Sequence, residues 1–309
     1  MNTLTKTNNG SLNAISDTGL SARNQSSRQS VMLPTQTLQL KNAGINIRYA
    51  AVGKPENPPV ILLHGVPENL QAWYAVAPIL AQKYYVLAID WPGFGGSEAL
   101  PSDEDYNSRN FAELVVDFMD TLSITKTHFV ATDIGLLPAF LVGLEHPNRV
   151  EKIAVMDGIP FPRPQYASWE LKSFARKGSI LGKALVSWFP GITAQISYFK
   201  GFYRGHSIPA EVRKEFARDG KSKTTQQAFL SYFQNFRLSQ EYFARRAQEL
   251  TKPVLVLWGS HDRFIDKKLA YEIEKTLPNA QLKIIHKAGH YVHMDKPEAL
   301  AETVTEFLA

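Results

Sequence analysis

Three short segments hold residue types that can do chemistry together. The first is Val130-Ala131-Thr132-Asp133-Ile134-Gly135, an apolar run ending at a carboxylate with a small residue two positions away on either side. This is the small-x-nucleophile-x-small spacing of a nucleophile elbow. Ala131 and Gly135 let a strand and a helix approach closely, and the sharp turn holds the middle side chain up in a strained backbone conformation. Asp133 is therefore the candidate nucleophile. The second segment is Leu62-Leu63-His64-Gly65-Val66-Pro67-Glu68-Asn69. A glycine there lets the backbone swing so that the N–H of Val66 points at the nucleophile and, with the N–H of Ile134, stabilises an oxyanion. His64 reads as a hydrogen-bonder that holds this loop. The third, Lys287-Ala288-Gly289-His290-Tyr291-Val292-His293-Met294-Asp295-Lys296-Pro297, places His290 in a loop from which it can serve as general base. His293 reads as a packing or surface residue.

Each of these segments needs a strand behind it. Short apolar runs at Ile45–Gly53, Val60–His64, Tyr84–Asp90, Thr127–Ala131, Lys152–Met156, Pro253–Gly259 and Gln281–His286 are the strand candidates. Helical patterns such as Arg109–Leu122, Leu136–His146 and Lys267–Leu277 lie between them. The alternation predicts a mostly parallel sheet covered by helices on both faces. It stops at Phe161 and resumes at Pro253, and the sequence between is helical and rich in aromatics. Because strands continue on both sides, the pattern predicts one core in two parts, 36–160 and 251–309, with a helical cap inserted at 161–250. Residues 1–35 are rich in Ser, Asn and Thr near their start and predict a flexible tail.

Composition narrows the function classes. At 309 residues, 44% hydrophobic and 20% charged, the chain has the balance of a soluble globular protein. No run of about 18 uncharged apolar residues predicts a membrane span. The first 30 residues show no apolar signal core, so the expected location is the cytoplasm. With no cysteine, disulfides, thiolate metal sites and a cysteine nucleophile are excluded. The net charge of +5 is uneven: residues 161–250 hold 15 Lys and Arg against 6 Asp and Glu, and 17 of the 34 aromatic residues. This fits a helical lid packing on a core with solvated outer faces, and attraction of anionic substrates or of an acidic membrane surface is the alternative; the expected partner is an apolar or weakly anionic small-molecule substrate. No nucleic-acid-binding module is recognisable, which argues against a nucleic-acid partner.

From about Leu38 to Ala309 the chain resembles the α/β-hydrolase superfamily. Within it, the chain resembles the branch with an aspartate nucleophile: epoxide hydrolases, haloalkane dehalogenases and haloacetate dehalogenases. His64-Gly65-Val66-Pro67-Glu68 looks like the epoxide hydrolase HGxPE loop, and Asp90-Trp91-Pro92-Gly93-Phe94-Gly95-Gly96-Ser97 like the D-x-x-G-x-G-x-S turn of the superfamily. Gly289-His290-Tyr291 through Asp295-Lys296-Pro297 is similar to the epoxide hydrolase ending. The resemblance implies a cofactor-free, metal-free hydrolase. Asp133 would attack an electrophilic carbon to form an ester, and His290 would activate the water that hydrolyses it. A carboxylate is already ionised at neutral pH, so the histidine's work moves to the second step. The acid that orients His290 has two candidates. Asp262 stands where epoxide hydrolases place theirs and is favoured. Asp157 stands where haloalkane and fluoroacetate dehalogenases place theirs.

The chain also departs from the branch. The elbow usually reads H-D-W-G or H-D-R-G, whereas this one reads Thr132-Asp133-Ile134-Gly135. Ile134 and Val66 occupy the positions whose side chains grip halide in haloalkane dehalogenases, and neither can donate. The arginine with which fluoroacetate dehalogenases hold a substrate carboxylate is missing too. Epoxide hydrolases use two lid tyrosines as acids. The context of Tyr232 resembles that of the second, while Tyr198 or Tyr203 would have to replace the first, because position 195 is Gln. Carbon–halogen chemistry is the alternative, with Trp169 or Trp188 as substitute donors. An atypical esterase or lyase and a non-catalytic binding protein are the other readings.

Overall fold

A computed structural model of the protein describes residues 31–309, except for Phe189, residues 205–207 and the side chain of Ile192. Eight strands form one sheet: β1 (Thr35–Gln39), β2 (Asn46–Val52), β3 (Pro59–Leu63), β4 (Tyr85–Ile89), β5 (Thr127–Thr132), β6 (Val150–Met156), β7 (Val254–Gly259) and β8 (Ala280–Ile285). Their order is β1-β2-β4-β3-β5-β6-β7-β8. The β1–β2 and β2–β4 pairs are antiparallel and every later pair is parallel. The seven strands read from the sequence are all present within two residues of the expected bounds. β1 is additional. Its Thr35-Gln36-Thr37-Leu38-Gln39 lies on a solvent-facing edge and carries almost no apolar signal. Of the expected tail, residues 1–30 lie outside the described residues, but the chain is fixed before position 35. Leu33 is buried, and its backbone N–H and carbonyl are both held by the Gln71 amide at 2.8 and 3.0 Å.

The helices are α1 (Ala77–Leu80), α2 (Ser108–Thr121), α3 (Leu136–Glu145), α4 (Trp169–Ala175), α5 (Ile180–Lys183), α6 (Pro190–Gly201), α7 (Ala210–Lys221), α8 (Lys223–Arg246), α9 (Lys268–Thr276), α10 (Val292–Asp295) and α11 (Pro297–Leu308). The central strands are apolar on both faces because both are covered. Ile61 and Leu63 of β3 join a core that includes α2 and α3, while Val60 and Leu62 join the opposite one, with α1 and α11. α4 to α8 lie in the stretch between β6 and β7. The 24-residue α8 ties it to the core: Thr225 Oγ1 donates to the Gly93 carbonyl at 3.0 Å, Asn235 Nδ2 to Asp103 at 2.7 Å and Gln240 Nε2 to Ile159 at 2.8 Å. Among the described residues no helix is long and apolar enough to cross a membrane.

Candidate active site

Asp133 sits at the turn from β5 into α3, with φ +48°. That left-handed conformation costs a non-glycine residue of order 1 kcal/mol and persists only where neighbours impose it. The neighbours here are glycines. A Cβ on Gly135 would lie 2.7 Å from the Leu63 carbonyl, and one on Gly65 would lie 2.7 Å from Asp133 Cβ. A Cβ on Gly158, a residue the sequence reading passed over, would lie 2.5 Å from the Asp133 carbonyl. The backbone N–H of Val66 donates to Asp133 Oδ2 at 2.9 Å, and that of Ile134 also bonds the carboxylate. The carboxylate thus accepts from the two N–H groups that the sequence singled out. Burial pushes the Asp133 carboxyl up to about 6, against the opposing pull of His290 and both N–H groups.

The loop carrying Val66 is held from behind. The Trp91 N–H donates to His64 Nε2 at 3.1 Å, so the ring proton is on Nδ1, which donates to the Gly65 carbonyl at 2.6 Å. Burial lowers His64 to about 4, so it stays neutral and acts as this strut, not as a base. Asp90 accepts from Leu70 N at 2.7 Å, from Gly96 N at 2.9 Å and from Arg48 Nε. A Cβ on Gly95, at φ +56°, would lie 2.0 Å from Asp90 Oδ2, which explains the glycines of that turn. His293 is fully buried, not a surface residue. It packs on Trp73, with Nε2 3.2 Å from Glu68 Oε2.

His290 Nδ1 lies 3.0 Å from Asp262 Oδ2. The other Asp262 oxygen accepts from the N–H groups of Phe264 and Ile265 at 2.7 and 3.1 Å, which fixes the carboxylate. Asp157, also at a left-handed φ of +48°, points its Oδ1 at the Gly259 N–H, 3.1 Å away, while its buried Oδ2 has no partner. Burial, and after it the neighbouring Asp262 carboxylate, raise the Asp157 carboxyl well above the usual range. Burial alone would lower His290, but Asp262, Asp133 and Asp157 together carry it up to about 10. In the resting site the imidazole is therefore a cation between carboxylates.

Residues 58–297 match the alpha/beta hydrolase fold family. The chain belongs to that family. It is 25% identical over 289 residues to epoxide hydrolase 3 of Xenopus tropicalis, covering 88% of this chain and 77% of that protein. Among solved structures it resembles the epoxide hydrolase CorEH (TM-score 0.77, 22% identity, 89% of this chain and 98% of the other). It also resembles the haloalkane dehalogenase DbeA of Bradyrhizobium elkani (TM-score 0.77, 20% identity, 89% and 97%). At those identities the structural likeness speaks to fold alone, and the fold is that of an α/β-hydrolase enzyme.

The cavity of this α/β-hydrolase, about 530 Å³, opens over Asp133 and His290. Its other walls are mostly apolar, with Leu171, Phe174, Leu185, Ile196, Phe229 and Phe264. Among the described residues Glu170 is the one additional charged group lining it, and Lys200 donates to both its oxygens at 2.7 and 2.8 Å. A second space of about 910 Å³ shares Pro67, Thr193, Ser197, Phe229 and Tyr291 with the first and runs along α6, α7 and α8. The lid tyrosines expected from sequence do not face Asp133. The Tyr232 hydroxyl is fully used behind the elbow, donating to the Ile134 carbonyl at 3.0 Å and bonded to Ser108 Oγ at 2.7 Å. Its ring packs on Phe111, so it braces the elbow and is not on the cavity wall. Tyr198 lines the second space, and the Tyr203 ring meets His261 edge-on, outside both. Trp169 and Trp188 are exposed on the cap. The phenol on the wall beside Asp133 and His290 is Tyr291, whose hydroxyl lies 2.6 Å from Ser197 Oγ of α6. Burial raises it well above the usual phenol range, so it remains a proton donor. Sequence reading quoted Tyr291 as part of a motif without assigning it a role. Its one local signal was its place next to His290.

Proposed function

We propose that this α/β-hydrolase opens small apolar epoxides through an ester on Asp133. The observation that carries the reading is the Tyr291–Ser197 hydroxyl pair on the wall shared with Asp133 and His290. Opening an epoxide builds negative charge on its oxygen, which leaves only if a donor supplies a proton. A halide leaves as a stable anion and needs only hydrogen-bond donors, and the side chains of Ile134 and Val66 offer none.

Asp133 attacks the less hindered epoxide carbon with the oxygen that is not held by Val66. The C–O bond of the ring breaks, and the oxygen takes the proton of Tyr291, with Ser197 stabilising the phenolate that remains. The ester carbonyl oxygen is then Oδ2, already seated against the Val66 N–H, with the Ile134 N–H also bonded to the carboxyl group. Ester formation removes the Asp133 charge, so His290 loses one of the carboxylates that kept it protonated. It gives up its proton to the Tyr291 phenolate, restoring the phenol, and then takes one from water as the hydroxide attacks the ester carbon. The tetrahedral oxyanion forms in the N–H pocket, and its collapse releases the diol and restores Asp133. Asp262 keeps the imidazole turned toward the ester throughout.

A single turnover of a terminal epoxide in ¹⁸O-water tests this. The label is expected in the Asp133 carboxylate and not in the first diol formed. Label in the first diol alone would exclude the covalent route. Halide release from haloalkanes with no diol from epoxides would reverse the choice of substrate.

A further inference from the structure

We propose that the outer face of α4, α5 and α6 docks on a lipid surface rich in anionic headgroups. Trp169, Ile180, Leu181, Trp188 and Phe199 are 54, 76, 53, 61 and 76% exposed, and all fall within one stretch of the cap. A soluble chain does not gather so many large apolar side chains on its surface without something to cover them. The inward side of the same stretch, through Leu171, Phe174, Leu185 and Ile196, lines the catalytic cavity, so the exposed residues form the outside of its roof.

Charge selects the occupant. Residues 169–201 hold Lys172, Arg176, Lys177, Lys183 and Lys200 against the single acid Glu170, and Glu170 is consumed by Lys200. The other four cations are exposed and, among the described residues, none has an acidic partner. A second copy of the chain would bring the same excess of cations to the interface. The chain's own first 30 residues carry Lys6, Arg23 and Arg28 against Asp17, and would repel it as well. An anionic bilayer matches both features: its headgroups take the cations, and its interfacial layer takes indole and aliphatic side chains. Docking there would set the roof of an apolar cavity against the phase in which apolar substrates concentrate. The proposal stands whether or not those substrates are epoxides.

Sedimentation of the full chain with phosphatidylcholine vesicles, with and without phosphatidylglycerol, tests it. Binding is expected only with phosphatidylglycerol and should weaken as salt is raised. Ile180→Ser with Leu181→Ser should lower the affinity roughly 10-fold or more. Lys177→Gln with Lys183→Gln should lower it roughly 5-fold per charge. Both double variants should keep the wild-type thermal midpoint and turnover of a water-soluble substrate. In the unaltered protein, brominated phosphatidylglycerol should quench part of the tryptophan emission, because Trp169 and Trp188 are exposed while Trp73, Trp91 and Trp258 are fully buried. No binding at low salt, binding unchanged by the Ile180 and Leu181 substitutions, or bound protein without quenching would each overturn the proposal. So would a dimer that those substitutions dissolve in protein with no vesicle affinity, which would make this face a contact between copies.

Discussion

Alkylation of Asp133 should change the acidity of His290, so the two half-reactions should follow different pH profiles. In the resting site His290 is held up to about 10 by Asp262, Asp133 and Asp157, against the lowering effect of burial. Forming the ester deletes one negative charge from that set. A unit charge within about 4–6 Å moves a neighbouring pKa by about 1–3 units, so in the ester the imidazole should titrate at roughly 7–9. Asp133 itself is pushed up to about 6. The nucleophile must be ionised, so alkylation should be lost as pH falls through about 6 and be level above it. The base must be neutral, so ester hydrolysis should rise with pH through roughly 7–9, where alkylation has already levelled. Quenched-flow sampling with intact-mass detection of the covalent enzyme, from pH 5 to 9.5, separates the two rates. His290→Gln should abolish the rising limb, slow hydrolysis by about 10²–10⁴-fold and let the ester accumulate. A hydrolysis rate independent of pH between 6 and 9, or one that titrates together with alkylation, would refute the assignment of His290 as a base released by ester formation.

The other expectations follow from single contacts. Asp157→Asn should leave turnover within a few-fold of wild type, because Asp157 bonds the Gly259 N–H and not the imidazole, and Asn tolerates its left-handed backbone. Asp262→Asn should cost roughly 10²–10⁴-fold, and steady-state kinetics with the order reversed would make Asp157 the orienting acid. Gly65→Ala must push Asp133 or the Val66 N–H aside, and loss of one oxyanion donor should slow the reaction by about 10²–10³-fold. Tyr291→Phe should slow alkylation by epoxides by roughly 10- to 1,000-fold with little change in stability. Tyr232→Phe should show the opposite pattern, losing roughly 1–2 kcal/mol in denaturant unfolding, because the hydroxyl braces Ile134 and Ser108.

The chain's local patterns were sufficient for most of the frame. Buried parallel strands must be apolar on both faces, so Val60–Leu63, Tyr85–Ile89 and Val254–Gly259 stand out as short apolar runs. Asp133 and Gly135 were legible because an elbow needs its small residues at fixed offsets in a continuous segment. β1 was not, since an edge strand with mostly polar exposed side chains has no apolar alternation to betray it.

What one sequence determines here is everything carried by spacing: the strand-to-helix turn at Asp133, the Gly65 loop, the histidine loop and the helical stretch between two strands. Tertiary structure decided between side chains that spacing treats alike. Asp157 and Asp262 follow neighbouring strands, β6 and β7, and both reach the vicinity of His290. Only the direction of each carboxylate shows that Asp262 bonds the imidazole while Asp157 caps Gly259. Tyr232 and Tyr291 are both buried tyrosines in motif-like settings. One turns its hydroxyl to the backbone behind the nucleophile, and the other meets Ser197 across 94 residues of chain. A hydroxyl's partner is set by which helix packs above it, and no periodicity in the chain records a contact between elements so far apart.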